Sequence, residues 1–116
     1  MKLLIVEDNE QMRCLIKCLV SNVAETVCEC TDGSQALAAY RLHRPDWVLM
    51  DIKMAQTDGI TATHEITTVF PAARILVVTD YDDAELREAA REAGARGYVV
   101  KDNLLTLRHL LKEEIA

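Results

Sequence analysis

Short apolar segments alternate along the chain with segments of helical periodicity. The apolar segments are rich in β-branched residues and have the length of strands. They cover residues 3–6, 27–30, 47–50, 75–79 and 97–100. After each of them, apolar residues recur three and four positions apart, as on one face of an amphipathic helix. This alternation predicts a parallel sheet that is covered by helices on both faces.

The apolar face of each predicted helix can be written down residue by residue. These positions are Met12, Leu15, Ile16, Leu19 and Val23; Ala36, Leu37 and Tyr40; Ala62, Ile66, Val69 and Phe70; Leu86, Ala89, Ala90 and Ala93; and Leu104, Leu107 and Leu111. Turn residues agree with the pattern. Gly94 stands where a helix ends in a left-handed residue, Gly59 is predicted to be a turn glycine with positive φ, and Ser34 is predicted to cap a helix.

Length and composition narrow the class of protein. The chain has 116 residues, which fits one domain, and half of them are hydrophobic. Only 4% are aromatic, so the core must be largely aliphatic. The net charge of −6 argues against binding nucleic acid through its phosphates. No apolar run reaches the length of a membrane span or of a signal peptide, so we expect a cytoplasmic protein with no membrane partner.

The four cysteines do not form a familiar metal motif. Cys14 and Cys18 are one helical turn apart, and Cys28 and Cys30 share a face of a predicted strand. Neither spacing is the CxxC of common zinc sites. We interpret them as reduced thiols that fill space, with a metal or disulfide role as the alternative.

Charged and hydroxyl side chains follow the predicted strands. Glu7 and Asp8 follow the first strand, Asp51 the third and Lys101 the fifth, while Thr79 ends the fourth. Ligands of parallel α/β sheets bind at this edge. Carboxylates about 4 Å apart repel by roughly 4 kcal/mol at a dielectric constant near 20, so they need a cation. Oxygen ligands suit Mg²⁺, and the set suits phosphoryl transfer with a carboxylate as nucleophile.

Four segments, and the order in which they occur along the chain, resemble the receiver domain of two-component response regulators. They are LLIVED, VLMDIKM followed by DG, ILVVTD and GYVVKD, and the resemblance covers essentially the whole chain. It implies the flavodoxin-like (CheY-like) (βα)₅ fold with strand order 2-1-3-4-5. It also implies that residues 1–116 are a single receiver domain, with any output or DNA-binding domain outside this chain.

The resemblance assigns roles at the strand ends. Asp51 would accept a phosphoryl group from a sensor histidine kinase or a phosphotransfer protein. Glu7, Asp8 and Asp51, with the backbone carbonyl of Lys53, would bind Mg²⁺. The expected activity is signalling by self-phosphorylation and self-dephosphorylation, rather than turnover of a separate substrate.

The same resemblance implies a switch. Thr79 would donate a hydrogen bond to the phosphoryl group, Lys101 would pair with another of its oxygens, and Tyr98 would turn inward as Thr79 moves. The change would alter a surface that binds a partner or forms a homodimer. Contact with DNA would occur only through an output domain, which would regulate transcription.

Three positions depart from the usual receiver pattern. Ala55 lacks a common proline, Glu7 replaces the commoner aspartate, and Asp80 stands where a small residue is usual. We expect Asp80 to slow phosphorylation by anionic donors. The Lys101-Asp102 pair resembles receivers that are joined to LuxR/NarL-type helix-turn-helix domains.

Three other functions remain as alternatives. The departures at Ala55, Glu7 and Asp80 would suit a pseudo-receiver that binds partners without being phosphorylated. A dehalogenase-like phosphatase also uses an aspartyl nucleophile, but Lys53 stands where its second aspartate would be. A flavodoxin-like FMN binder shares the architecture, but no glycine-rich or hydroxyl-rich loop follows the first strand.

Overall fold

The computed structural model describes residues 1–115 and contains one parallel five-stranded sheet of order β2-β1-β3-β4-β5. The strands are β1 (Lys2–Val6), β2 (Thr26–Cys30), β3 (Trp47–Met50), β4 (Ile75–Thr79) and β5 (Gly97–Val100). The helices are α1 (Glu10–Val20), α2 (Ala36–His43), α3 (Gly59–Val69), α4 (Ala84–Glu92) and α5 (Leu105–Ile115). Short 3₁₀ helices cover Gly33–Gln35 and Lys101–Asn103. The predicted flavodoxin-like fold and strand order are confirmed.

Both faces of the sheet are buried, which explains the continuous apolar strands. In β1, Leu3 and Ile5 pack in the core beneath α1 and α5, where they meet Leu107. Leu4 and Val6 point to the opposite face and pack in the core beneath α2 and α3. Since successive side chains of a strand alternate between faces, a strand with helices on both sides must be apolar at every position.

Two of the predicted helix faces need correction. The prediction that Leu15 belongs to the buried face of α1 is wrong, because its side chain is 46% exposed. Helix α1 ends at Val20, so Val23 lies in the following turn, although it still packs against the core. Val69, the last residue of α3, is also 46% exposed. For Val23 and Val69 the spacing pattern fails because the chain is leaving the helix, whereas Leu15 lies in the middle of α1 and lines a cleft.

Of the two predicted helix-end residues, Ser34 is not a cap and Gly94 is as predicted. The prediction that Ser34 caps a helix is wrong; the Asp32 carboxylate accepts a hydrogen bond from the Ser34 amide and caps the 3₁₀ turn. At α1 the cap is Asn9, whose side chain accepts from the Met12 amide. Gly94 has a φ of 109°, as its position after α4 predicts.

Gly59 has a different role from the predicted one. Its φ is not positive; it is the first residue of α3, and its amide donates to the Ile52 carbonyl at 2.7 Å. A Cβ atom at this position would lie 1.8 Å from the backbone oxygen of Asp51. The missing side chain therefore lets the start of α3 press against the end of β3.

Helices long and apolar enough to cross a membrane do not occur within residues 1–115.

Replacing Gly59 with alanine should destabilise the protein by at least about 2 kcal/mol, because backbone atoms at the end of β3 would have to move. Urea unfolding followed by circular dichroism measures the loss. Thr68→Ala, on the exposed side of the same helix, should change the free energy of unfolding by less than about 0.5 kcal/mol. Equal stability of Gly59→Ala and the parent protein would contradict the close approach.

Candidate functional site

The carboxyl ends of the strands line a cleft of about 510 Å³. Its lining residues are Glu7, Asp8, Asn9, Gln11, Met12, Leu15, Asp51, Lys53, Asp80, Tyr81 and Lys101. The structure thus brings into one cleft five of the predicted site residues, namely Glu7, Asp8, Asp51, Lys53 and Lys101. The backbone of the sheet fixes this meeting, since the Asp51 amide donates to the Val6 carbonyl of the neighbouring strand at 3.0 Å.

Lys101 is the central cation of the cleft. Its ammonium nitrogen lies 2.6 Å from Glu7 Oε1, 3.5 Å from Asp51 Oδ1 and 4.0 Å from Asp80 Oδ2. The side chain is only 7% exposed. Burial by itself would lower the pKa of Lys101, but the hydrogen bond to Glu7 and the charge of Asp51 outweigh burial and raise it. Lys101 therefore stays charged and offsets part of the negative charge.

Asp51 is a buried carboxylate at the tip of β3, with 8% of the residue exposed. Its Oδ1 atom accepts a hydrogen bond from the Ile52 amide at 2.9 Å. Burial raises the pKa of Asp51, and the charge of Lys101 opposes that rise. The same oxygen lies 3.5 Å from the Lys101 ammonium nitrogen. The backbone amide and the lysine thus hold Oδ1 in place.

Three carboxylates could hold a metal ion. One oxygen from each of Glu7, Asp8 and Asp51 lies within 4.8 Å of the others. Glu7 is 2% exposed, and its second oxygen accepts from the Asn9 amide at 3.2 Å. A hydrogen bond with Glu7, then burial, raises the pKa of Asp8, which shows how crowded the carboxylates are. An all-oxygen donor set of this charge fits Mg²⁺.

Lys53 lies in the loop after β3 and also lines the cleft. Its ammonium group sits 4.8 Å from the centre of the Tyr81 ring, an arrangement that favours a cation–π interaction. The side chain therefore points toward the loop after β4, so its contribution to a metal site would come from the backbone.

Thr79 and Tyr98 both bond to Tyr81 but lie outside the cleft lining. The Thr79 hydroxyl, fully buried, accepts from the Tyr81 amide at 3.3 Å. The Tyr98 hydroxyl donates to the Tyr81 carbonyl, and the Arg87 guanidinium covers the Tyr98 ring at 4.5 Å. The two predicted switch residues are therefore connected through one residue.

Two contacts near the site have no clear signal in the sequence. Arg13 of α1 donates to the Glu7 carbonyl at 2.8 Å and pairs with Glu29 at 3.1 Å, which ties the loop after β1 to β2. Asp32 accepts from the amides of Gln56 and Thr57, in the loop after β3. In the sequence, Asp32-Gly33 indicates only a turn.

Comparisons with known proteins point to one family. The model of the response regulator receiver domain matches residues 3–112. The chain is 42% identical over 101 residues to the chemotaxis protein CheY of Bacillus subtilis, which covers 86% of this chain and 84% of that protein. The same identity over 101 residues relates it to the transcriptional regulatory protein PdtaR of Mycobacterium tuberculosis, again over 86% of this chain but only 49% of that protein.

A solved structure agrees with these relatives. A LuxR-family two-component response regulator from Aurantimonas sp. SI85-9A1 superposes with a TM-score of 0.85 at 30% identity, over 97% of this chain and 85% of that one. Match length, identity and fold all lead to the same assignment, and the chain belongs to the family of response regulator receiver domains.

Proposed function

We propose that Asp51 accepts a phosphoryl group from the phosphohistidine of a sensor kinase or a phosphotransfer protein, in a reaction that depends on Mg²⁺. The observation that carries this proposal is the surroundings of Asp51. It is a buried carboxylate with a lysine ammonium at 3.5 Å, and its oxygen lies within 4.8 Å of oxygens from two further carboxylates. Nucleophile, cation and metal ligands are therefore together.

The transfer itself needs few groups. Oδ2 of Asp51 attacks phosphorus, the P–N bond breaks, and the imidazole nitrogen keeps the bonding pair; the ring leaves neutral because its other nitrogen carries a proton. Glu7, Asp8, Asp51 and the Lys53 carbonyl would hold Mg²⁺, which would neutralise negative charge on the transferred group. Lys101 pairs with a phosphoryl oxygen from its position beside Oδ1. The product is an acyl phosphate on Asp51, which water later hydrolyses.

The switch in this proposal works through Tyr81. Thr79 donates a hydrogen bond from its hydroxyl to a phosphoryl oxygen, and the hydrogen bond that it accepts from the Tyr81 amide changes as it moves. The same residue supplies the acceptor of the Tyr98 hydroxyl, so its displacement moves the Tyr98 ring. Phosphorylation can shift the population only if the phosphoryl group bonds better in one of the two arrangements.

The output depends on the protein in which this domain works. The match to 84% of CheY of Bacillus subtilis supports a cytoplasmic receiver that works without an attached output domain. The match to half of PdtaR supports the other arrangement, in which a second domain regulates transcription. In both cases residues 1–116 act as one receiver domain, and a homodimer would form on the surface that the switch alters.

Incubation with acetyl phosphate and Mg²⁺ should add one phosphoryl group to the protein, detected by intact-protein mass spectrometry. Asp51→Asn should show no adduct, because the amide cannot form the acyl phosphate, and chelation of Mg²⁺ should reduce the adduct strongly. Folding of the variant is checked by circular dichroism. An adduct of equal yield in Asp51→Asn would contradict the assignment, and no adduct in the parent with several donors would favour a pseudo-receiver.

Replacing Lys101 with methionine should have opposite effects on metal binding and phosphorylation. Mg²⁺ should bind several-fold more tightly, since the lysine no longer competes for Glu7 and Asp51. The rate of phosphorylation at saturating Mg²⁺ should fall at least about tenfold, since a charge that stabilises the transition state is gone. Calorimetric titration and phosphorylation rates measure the two effects. Weaker Mg²⁺ binding would contradict the competition.

Replacing Asp80 with alanine should raise the rate of phosphorylation by acetyl phosphate roughly threefold at low salt, and less at high salt. The exposed carboxylate stands at the cleft, 4.0 Å from Lys101, where it repels anionic donors. Asp102→Ala removes the same charge outside the cleft lining and serves as the control. Equal phosphorylation rates for Asp80→Ala and the parent protein would contradict the proposed repulsion.

A further inference from the structure

Asp32 connects two loops that are far apart in sequence. It follows β2, is 8% exposed, and accepts three backbone hydrogen bonds. Oδ2 accepts from the Ser34 amide at 2.8 Å and from the Thr57 amide at 3.2 Å, while Oδ1 accepts from the Gln56 amide at 2.9 Å. Only the first of these bonds caps its own turn; the other two hold the loop between β3 and α3.

The loop is pressed against Asp32 from the other side as well. A Cβ atom at Gly33 would lie 2.3 Å from the Thr57 carbonyl oxygen, so the two loops are in close backbone contact. A hydrogen bond also joins the two ends of this loop, because the Gly59 amide donates to the Ile52 carbonyl at 2.7 Å. Among the described residues, the backbone amides of residues 53–57 donate hydrogen bonds only to Asp32.

The charge of Asp32 makes this connection strong. Hydrogen bonds from the amides of Gln56 and Ser34 hold the pKa of Asp32 well below its usual range. The carboxylate therefore stays ionised at all pH values at which the protein would work. Backbone amides bond more strongly to an ionised acceptor than to a neutral one, and an amide left without its partner in a part-buried loop is costly.

We propose that Asp32 is a positioning residue for the metal site, because it fixes the loop that presents the Lys53 carbonyl. This inference rests on the proposed function, in which that carbonyl binds Mg²⁺. Residue 55, between Lys53 and the two amides held by Asp32, is alanine, so no proline ring restricts the loop there. The carboxylate of Asp32, in the loop after β2, supplies the restriction instead. Mg²⁺ requires nearly ideal geometry, so a loosened carbonyl weakens its binding.

The test compares Asp32→Ala and Asp32→Asn with Asp46→Ala. Asp46 also accepts a distant backbone hydrogen bond, from the Lys2 amide at 2.7 Å, but at the opposite end of the sheet. Without metal, hydrogen exchange of the Gln56 and Thr57 amides should speed up in Asp32→Ala and stay unchanged in Asp46→Ala. Asp32→Asn keeps one acceptor oxygen, so its exchange rates should fall between those of the parent protein and Asp32→Ala. It replaces the alanine variant in the test if that variant does not fold.

With metal, calorimetric titration of the Asp32 variants should show roughly tenfold weaker Mg²⁺ binding, the effect usual for residues that support metal ligands. Phosphorylation should be slow at low Mg²⁺ and recover at saturating Mg²⁺. The control should match the parent protein in both measurements. A residue that acts only on stability would not weaken Mg²⁺ binding while leaving the rate at saturating Mg²⁺ unchanged.

Two results would overturn the inference. Faster exchange of the loop amides with unchanged Mg²⁺ affinity would make Asp32 a purely structural contact, and unchanged exchange would show that it does not hold the loop. A parent protein that binds no Mg²⁺ would remove the proposed function, and the positioning role with it. The exchange rates would then still show whether the loop is held, so the two failures are distinguishable.

Discussion

The structure depends on one electrostatic constraint, the burial of negative charge beside Lys101. Glu7 and Asp51 are almost fully buried, and isolated charges in such surroundings are costly. A single ammonium group, 2.6 Å from one and 3.5 Å from the other, offsets part of that cost. Asp8 adds a third carboxylate, so three negative charges lie beside one ammonium group. The remaining negative charge makes the cleft favourable for a cation with oxygen ligands, such as the Mg²⁺ of the proposed function.

The scaffold is built to hold these charges at one sheet edge. Parallel strands bring their carboxyl ends together, and burial of both sheet faces leaves little freedom for the strand tips to move. Gly59 lets α3 begin directly against the end of β3, while Asp32 ties the intervening loop to β2. On the other side of the cleft, Tyr81 links Thr79 to Tyr98. Backbone contacts thus hold the loop after β3, and hydrogen bonds through Tyr81 lie on the side where we propose that the signal leaves.

The parallel sheet and the meeting of Asp51 with Lys101 could be predicted because strand patterns and strand ends are local features of the sequence. The strand order followed only from the resemblance to receiver domains. The exposure of Leu15 could not, since apolar spacing does not reveal where the cleft interrupts the cover of a helix. The positions of Gly59 and Asp32 depend on backbone approaches across loops, which no periodicity encodes. In the sequence, such residues indicate a turn, but they do not show which other loop or strand the turn contacts.

The most direct test of the central claim is fluorine NMR of the protein with beryllium fluoride, which mimics a phosphoryl group on a carboxylate. With Mg²⁺ present, we expect bound fluoride resonances in the parent protein. They should be absent from Asp51→Asn and lost when Mg²⁺ is chelated. Bound resonances that persist in folded Asp51→Asn would contradict the account, because the acceptor would then be another residue.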